Sequence, residues 1–545
     1  MMMSRYIVFL TVMFSLSLVA QPFTRKDSLM GGFPKERLCF DVKRYEIDIR
    51  VNPEKKYISG HNSIQFEVVE ATKRIQLDLF ANMQVDSIIW QTKKLTYTRE
   101  FNAVFIDFPE LLTPGASEKL TFYYSGNPII ARQAPWDGGF VFSKDKLNRP
   151  WIGVAVQGTG ASVWYPVKDG QSDEPEQGVL LKVAVPNELM NVSNGRYKGS
   201  TPLNDGYTRW DWEVLNPINT YNVTLNIGHY TRITDRLEDL DIDYYVLDYN
   251  REKAIKHFEE VKPMLTCFQS KFGPYPFKED GYKLVETPYL GMEHQSAVAY
   301  GNNYLKGYRG MDLSGSGVGL TFDYITIHES GHEWFGNSIT SRDIADMWIH
   351  EGFTQYSELV FIECQSGYEK MLKYAFGLRR NVAHDRPIIG PYGVNQEGSG
   401  DMYPKGALLL HTIRHALNND TLWWKLIWDY CHTFKHKIID TETVVQFFNE
   451  TTAMDWTPVF NQYLRHTRLP ILHVRTRGKR LEARWEADAT SFAMPITLIV
   501  DGTPYQITPQ SDWTRTKVKM KKNAIVTVDQ QKFFIKFNLE KNEAQ

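Results

Sequence analysis

The stretch His328-Glu329-Ser330-Gly331-His332, followed after eighteen intervening residues by Glu351, decides how the middle of this 545-residue chain is read. Four residues make close to one turn of α-helix, so imidazoles at i and i+4 leave one face and can close on a single metal ion. Glu329 then borders that ion without binding it, and Glu351 adds a third ligand from a second element. The bare five-residue pattern, a known metalloprotease signature, also arises by chance. Its competing reading is a histidine pair on the polar face of a surface helix, against which the later glutamate argues.

The flanking residues fit two helices. Phe322, Ile325, Ile327, Trp334 and Phe335 make an apolar strip that runs to a helix stop at Gly336-Asn337, which predicts a buried metal helix. Asp343 to Asp346 give the acidic start of a second helix through Trp348, Glu351, Tyr356 and Leu359. Glu358, two turns beyond Glu351, has two readings: it accepts the spare N–H of a metal-bound imidazole, or it is a solvated helix charge. Two histidines and a carboxylate leave a fourth tetrahedral position open, the pattern of a catalytic zinc rather than a structural one. One Zn2+ per chain is expected. Zinc lowers the pKa of its water toward neutrality, and Glu329 is placed as general base. The loop Asp401 to Gly406 offers Tyr403 as a donor to a developing oxyanion, although by composition alone a packing role serves it as well.

Further motifs turn the site into a resemblance. His328-Glu329-x-x-His332-Glu333-Trp334-Phe335-Gly336-Asn337 and Trp348-Ile349-His350-Glu351-Gly352-Phe353 resemble the zinc aminopeptidases of the aminopeptidase N and leukotriene hydrolase family. Phe272-Gly273-Pro274-Tyr275-Pro276-Phe277 resembles that family's lead-in to its catalytic domain, and Tyr403-x-Lys405-Gly406 resembles the element whose tyrosine stabilises the tetrahedral intermediate. Leu290-Gly291-Met292-Glu293-His294 is similar to its exopeptidase element, with Leu290 for the first glycine and His294 for the asparagine. The resemblance implies that Glu293 pairs with a free α-ammonium, with Gly291 and Met292 along the substrate. A neutral internal amide would leave that carboxylate unpaired. It also implies a second amine ligand upstream. The candidate is Gln157 in Ala155-Val156-Gln157-Gly158-Thr159-Gly160, which also reads as a strand-end glutamine. The implied catalytic domain is thermolysin-like.

Arg5 precedes an apolar run from Tyr6 to Leu18, and Val19-Ala20 before Gln21 offers a cleavage site, so residues 1–20 read as a secretory signal peptide. The run is short for a membrane span, and an uncut N-terminal anchor is the competing reading. An exported enzyme, periplasmic or secreted, is expected. Cys39, Cys267, Cys364 and Cys431 lie far apart and imply no disulfide framework. A net charge of −2 argues against nucleic acid or an anionic membrane as main partner. Nothing indicates an oligomeric state.

The patterns divide the chain into a multidomain α+β protein. Residues 21–235 alternate in short runs such as Tyr45-Glu46-Ile47-Asp48-Ile49 and read as an all-β domain. From 236 to 469 the period becomes helical and carries the metal ligands. Strands return over 470–545 as a small β-sandwich, with Asp501-Gly502 as a hairpin turn. The larger members of the family carry a helical domain that roofs the active site; no such pattern occurs here, so a more open cleft is expected. Three functions follow: hydrolysis of N-terminal residues from peptides with a free N-terminus; epoxide hydrolysis or endopeptidase action in an open cleft; or a binding protein that has lost chemistry. The intact set His328, Glu329, His332, Glu351 and Tyr403 speaks against the last.

Overall fold

Buried residues at every second position, Tyr45, Ile47, Ile49 and Val51, commit the strand Phe40–Asn52 to one face of a sheet. It pairs antiparallel with Tyr57–Val68 and parallel with Val179–Pro186, at the centre of an eight-stranded sheet. A second sheet runs Met190–Ser193, Leu225–Gly228, Pro150–Ala155, Gly139–Lys144, and both sheets share one core around Trp164 and Tyr165. The computed structural model describes residues 23–477, 480–521 and 523–540. The expected signal peptide lies outside the described residues, and no helix among them is long and apolar enough to cross a membrane.

The next sheet corrects the expected division at 235. The strand Tyr230–Leu237 spans that position and forms a hairpin with Leu240–Leu247, so the change of architecture comes before Tyr230. Leu240–Leu247 then pairs in parallel with Tyr282–Glu286, which pairs in parallel with Val298–Tyr300. Gly291–Met292 closes the order as an edge strand, Gly291 opposite Tyr300 and Met292 opposite Ala299. A five-stranded sheet therefore precedes the metal-site helices. The helical period begins at Arg251–His257, once this hairpin is complete.

The helices that follow are buried on nearly all sides. Every residue of Tyr324–Gly331 is buried, and so is Trp348–Ser366 from Trp348 to Ile362. Asp323 caps the first through the Thr326 N–H at 3.2 Å, and Asp343 caps the short turn before the second through the Ala345 N–H at 2.9 Å. The first helix is shorter than its apolar strip predicts. It ends at Gly331, and the chain continues in tighter turns in which Glu333 and Trp334 donate to the carbonyls three residues back. His332 keeps right-handed helical angles, φ −61° and ψ −21°, so the i, i+4 relation to His328 survives.

Two cysteines depart from expectation: Cys267 and Cys364 form a disulfide between the helices Val261–Phe272 and Trp348–Ser366. The sequence gives no hint of it, because 97 residues separate the partners. After Pro470, two sheets of four and three strands form the C-terminal part, and their inner faces join the catalytic core. Asp501 and Gly502, both at positive φ, turn Ile496–Val500 into Thr503–Ile507.

Candidate active site

His328 and His332 project from the metal helix toward Glu351 on the next. Nε2 of His328 lies 3.5 Å and Nε2 of His332 3.3 Å from one carboxylate oxygen, Oε2 of Glu351. That oxygen is buried without a hydrogen-bond donor. The outward ring nitrogens are engaged elsewhere: Nδ1 of His328 meets Glu358 Oε1 at 2.8 Å, and Nδ1 of His332 meets the Phe335 carbonyl at 2.9 Å. Each ring is thereby steered to present Nε2 inward. Three ligand atoms within 4.8 Å of one another, one of them an orphaned anion, fit a tetrahedral metal with room for one more ligand. Glu358 is fully buried, which removes its reading as a solvated charge, and its second oxygen accepts from the Tyr374 hydroxyl at 2.8 Å.

Small residues let the elements come this close. A Cβ on Gly331 would sit 2.4 Å from the Ser357 hydroxyl, and one on Gly406 would sit 2.9 Å from the Gly352 Cα. The second contact draws Pro404–Leu417 against the helix of Glu351 and places Tyr403, at its N-cap, with its ring 6.0 Å from that of His328. Burial, with the Glu351 charge beside it, raises the Tyr403 hydroxyl well above its ordinary range and keeps it a proton donor. A Cβ on Gly291 would meet Glu329 Oε1 at 2.8 Å, so the edge strand lies directly against the candidate base. Burial pushes the Glu329 carboxyl up to about 7, against the opposing pull of His328 and His332.

The turns that follow the metal helix fix the loop that carries Glu293. Glu333 accepts from the Ser296 N–H at 2.9 Å and from the Tyr275 hydroxyl at 2.7 Å, while Asn337 Nδ2 donates to the Glu293 carbonyl at 2.8 Å. Glu293 is buried, and Oε1 accepts from Gln157 Nε2 at 2.7 Å and from the Tyr221 hydroxyl at 3.1 Å. Gln157 Nε2 also reaches Glu351 Oε1 at 3.1 Å, so a side chain from the β-domain bridges the two carboxylates. His294 is fully buried with neither ring nitrogen partnered, and burial holds it neutral, with its pKa down at about 3. A cavity of about 860 Å³ opens over this set, lined among others by Met292, Glu329, Tyr403 and the segment Asn395 to Glu397.

The structure thus brings together His328, Glu329, His332, Glu351, Glu358, Glu293, Gly291, Met292, Gln157 and Tyr403. Sequence reasoning missed Tyr221 and Glu397. Tyr221 lies in a polar turn, Asn219-Thr220-Tyr221-Asn222, and Glu397 in a segment without helix or strand. Neither carries a periodic signal that ties it to the metal motif.

Comparison with known proteins places this geometry in a family. Residues 256–463 match the model described as the Peptidase family M1 domain, and residues 42–222 match the Peptidase M1 N-terminal domain. Endoplasmic reticulum aminopeptidase 1 of Mus musculus is 23% identical over 264 residues, covering 46% of this chain and 28% of that protein. Aminopeptidase 2 of Candida albicans is 22% identical over 474 residues, covering 82% of this chain and 49% of that protein. The chain spans less than half the length of these curated relatives. The crystal structure of an M1 zinc metallopeptidase from Deinococcus radiodurans shares the fold, with a TM-score of 0.65, 20% identity, and coverage of 79% of this chain and 94% of that one. A two-domain M1 zinc metallopeptidase bound to L-tryptophan gives a TM-score of 0.67 at 20% identity, over 81% of this chain and 98% of that one.

Proposed function

We propose that this chain, which belongs to peptidase family M1, is a zinc-dependent aminopeptidase that removes N-terminal residues from peptides. One observation carries the reading. A buried carboxylate, Glu293, shares a cavity with the ligand set His328, His332 and Glu351 and is held there by Gln157 and Tyr221. A metal site alone supports a hydrolase; an added buried anion supports one that selects a cationic amine.

Each side chain has a task in that reaction. His328, His332 and Glu351 would hold one zinc, which supplies Lewis acidity toward the attacking water and the scissile carbonyl. Glu293, with the Gln157 side-chain oxygen, receives the α-ammonium and sets the first peptide bond over Glu329. Glu329 takes the proton of the attacking water and delivers it to the leaving amine. Tyr403 donates a hydrogen bond from its hydroxyl to the oxygen that gains charge. Glu358 and the Phe335 carbonyl keep the two imidazoles in the tautomer that leaves Nε2 bare. The leader-like residues 1–20 support an exported, periplasmic or secreted enzyme acting on free-N-terminus peptides.

The test joins metal content to end selectivity. Glu329→Gln is expected to retain one zinc per chain and lose about two to four orders of magnitude in turnover. Wild type is expected to cleave a free peptide stepwise from its N-terminus and to leave the N-acetylated form intact. Internal cleavage of the acetylated peptide at a comparable rate would replace the aminopeptidase reading with an endopeptidase in an open cleft. A glutamine variant that loses its zinc would remove Glu329 from the role of base.

A further inference from the structure

The catalytic assignment leaves one carboxylate in the cavity without a task. Glu397 lines the same cavity as Gln157, Glu293 and Glu329. It lies in the segment Pro391 to Ser399, which has neither helix nor strand and is tied to the β-domain by Asn395, whose Nδ2 donates to the Gly158 carbonyl at 2.7 Å and meets the Met30 sulfur at 3.5 Å. The Gly158 contact seats Glu397 beside the turn that carries Gln157: a Cβ on Gly158 would lie 3.4 Å from Glu397 Oε1. Gln157 in turn holds Glu293 at 2.7 Å. A carboxylate therefore stands one residue's breadth from the amine-binding pair.

Nothing among the described residues pairs with it. The influences on Glu397 are burial, the charges of Glu351 and Glu293, and the opposing charge of Arg386, which lines the same cavity, with no hydrogen bond to its carboxylate. Arg386 is committed to the Gly398 carbonyl at 2.9 Å. A partly buried carboxylate without donor or cation is costly to keep in a folded protein and gains most from a charged ligand group.

We infer that Glu397 is a specificity residue that recognises a cationic side chain, lysine or arginine, on the N-terminal residue of the substrate. This rests on the reading of Glu293 as the amine anchor. Once the α-ammonium lies on Glu293 and Gln157, the first side chain leaves from a point beside Gly158, where the Glu397 carboxylate accepts its ammonium or guanidinium. A neutral first residue leaves Glu397 unpaired, and an acidic one sets two carboxylates against each other. Unpaired buried polar groups are the strongest source of discrimination available to such a site.

The decisive comparison is lysine against norleucine, which matches its aliphatic stem and lacks its charge. Aminoacyl fluorogenic amides of lysine, norleucine and glutamate are assayed on wild type and Glu397→Gln at equal zinc loading. Wild type is expected to favour lysine over norleucine by about tenfold or more in kcat/KM. Glu397→Gln should bring that ratio close to one while norleucine turnover stays within about twofold, and Glu397→Lys should favour glutamate. Calorimetric titration with lysinamide and norleucinamide makes the same comparison without turnover, so a chain that binds selectively but hydrolyses nothing refutes the enzyme reading and leaves the pocket standing. An unchanged lysine-to-norleucine ratio in Glu397→Gln would overturn the inference. So would an equal loss on all three substrates, which would assign Glu397 to the α-ammonium.

Discussion

The Ser341 backbone N–H donates to Nε2 of His350 at 2.8 Å, so that nitrogen carries no proton of its own. Burial keeps the ring neutral, with its pKa down at about 3, and its single proton therefore resides on Nδ1. Nδ1 lies 3.3 Å from the Tyr221 hydroxyl, which leaves the Tyr221 proton to Oε1 of Glu293 at 3.1 Å. The direction of each bond follows from the one before it, and the relay ends on the anchor carboxylate, whose pKa burial raises and the Tyr221 bond pulls back toward the ionised form. Tyr221→Phe should raise KM for free-N-terminus peptides about tenfold, the worth of one hydrogen bond to a charged group, and leave kcat and zinc content nearly unchanged. A fall in kcat at constant KM would assign Tyr221 to the chemical step instead. Residues of this kind were the hardest to read from sequence. The two histidines announce themselves because one helical turn fixes their spacing, whereas Glu358, two turns beyond Glu351, reads equally well as a solvated charge, and only its burial decides. Tyr221 belongs to another domain, and only the folded chain places it 3.1 Å from Glu293.

Between elements, the contact that matters joins two glycines. Gly352 follows the ligand Glu351, Gly406 closes the Tyr403-x-Lys405-Gly406 element, and each would drive a methyl group into the other's backbone, at 3.2 and 2.9 Å. Backbone cannot swing aside as a long side chain can, so the helices Trp348–Ser366 and Pro404–Leu417 hold their separation only while both positions stay bare. Gly406→Ala is expected to push Tyr403 away from the ligands and lower kcat by about a hundredfold, since displacement by about an ångström costs that much, while zinc remains bound. Gly400→Ala, where an added methyl meets nothing within 4 Å, is the control and should leave kcat intact. Equal activity in both variants would show that this contact does not set the position of Tyr403. The helices themselves were legible from their apolar period, and both glycines stood inside recognisable motifs. Their mutual contact was not, because periodicity reports which face of a helix is buried and says nothing of which partner covers it. The metal helix was read too long for a related reason: the apolar strip continues through Trp334 and Phe335, which stay buried after the regular helix has ended at Gly331.

Across the whole molecule, the β-domain and the catalytic domain meet through buried polar groups at the active site. Asn219 Nδ2 donates to the Gly336 carbonyl at 2.8 Å, Asn222 Nδ2 to Asn337 Oδ1 at 2.6 Å, and the Thr340 hydroxyl to Glu174 at 2.5 Å. The alternating strands made the β-domain legible, yet alternation marks a face as buried without saying whether it is covered by its own sheet or by a neighbouring domain. Glu174 is the titratable member of this junction. Burial pushes its carboxyl up from 4.5 to about 8, against the lowering pull of the Thr340 hydroxyl. In the unfolded chain it titrates near its ordinary value, so between about pH 4.5 and 8 the folded protein binds a proton that the unfolded one has released. Stability through this group is therefore greatest below the unfolded pKa and declines as pH rises through that window. Glu174→Gln keeps an acceptor for Thr340 and carries no titrating proton. Relative to wild type, its apparent Tm is expected to rise from pH 5 to pH 8, with most of the gain complete by pH 8 and zinc loading held constant. The variant should also hold its Tm more evenly over that range. A difference between the two proteins that stayed flat across the window would mean that Glu174 is ionised throughout, and that the junction tolerates a buried charge that its surroundings do not offset.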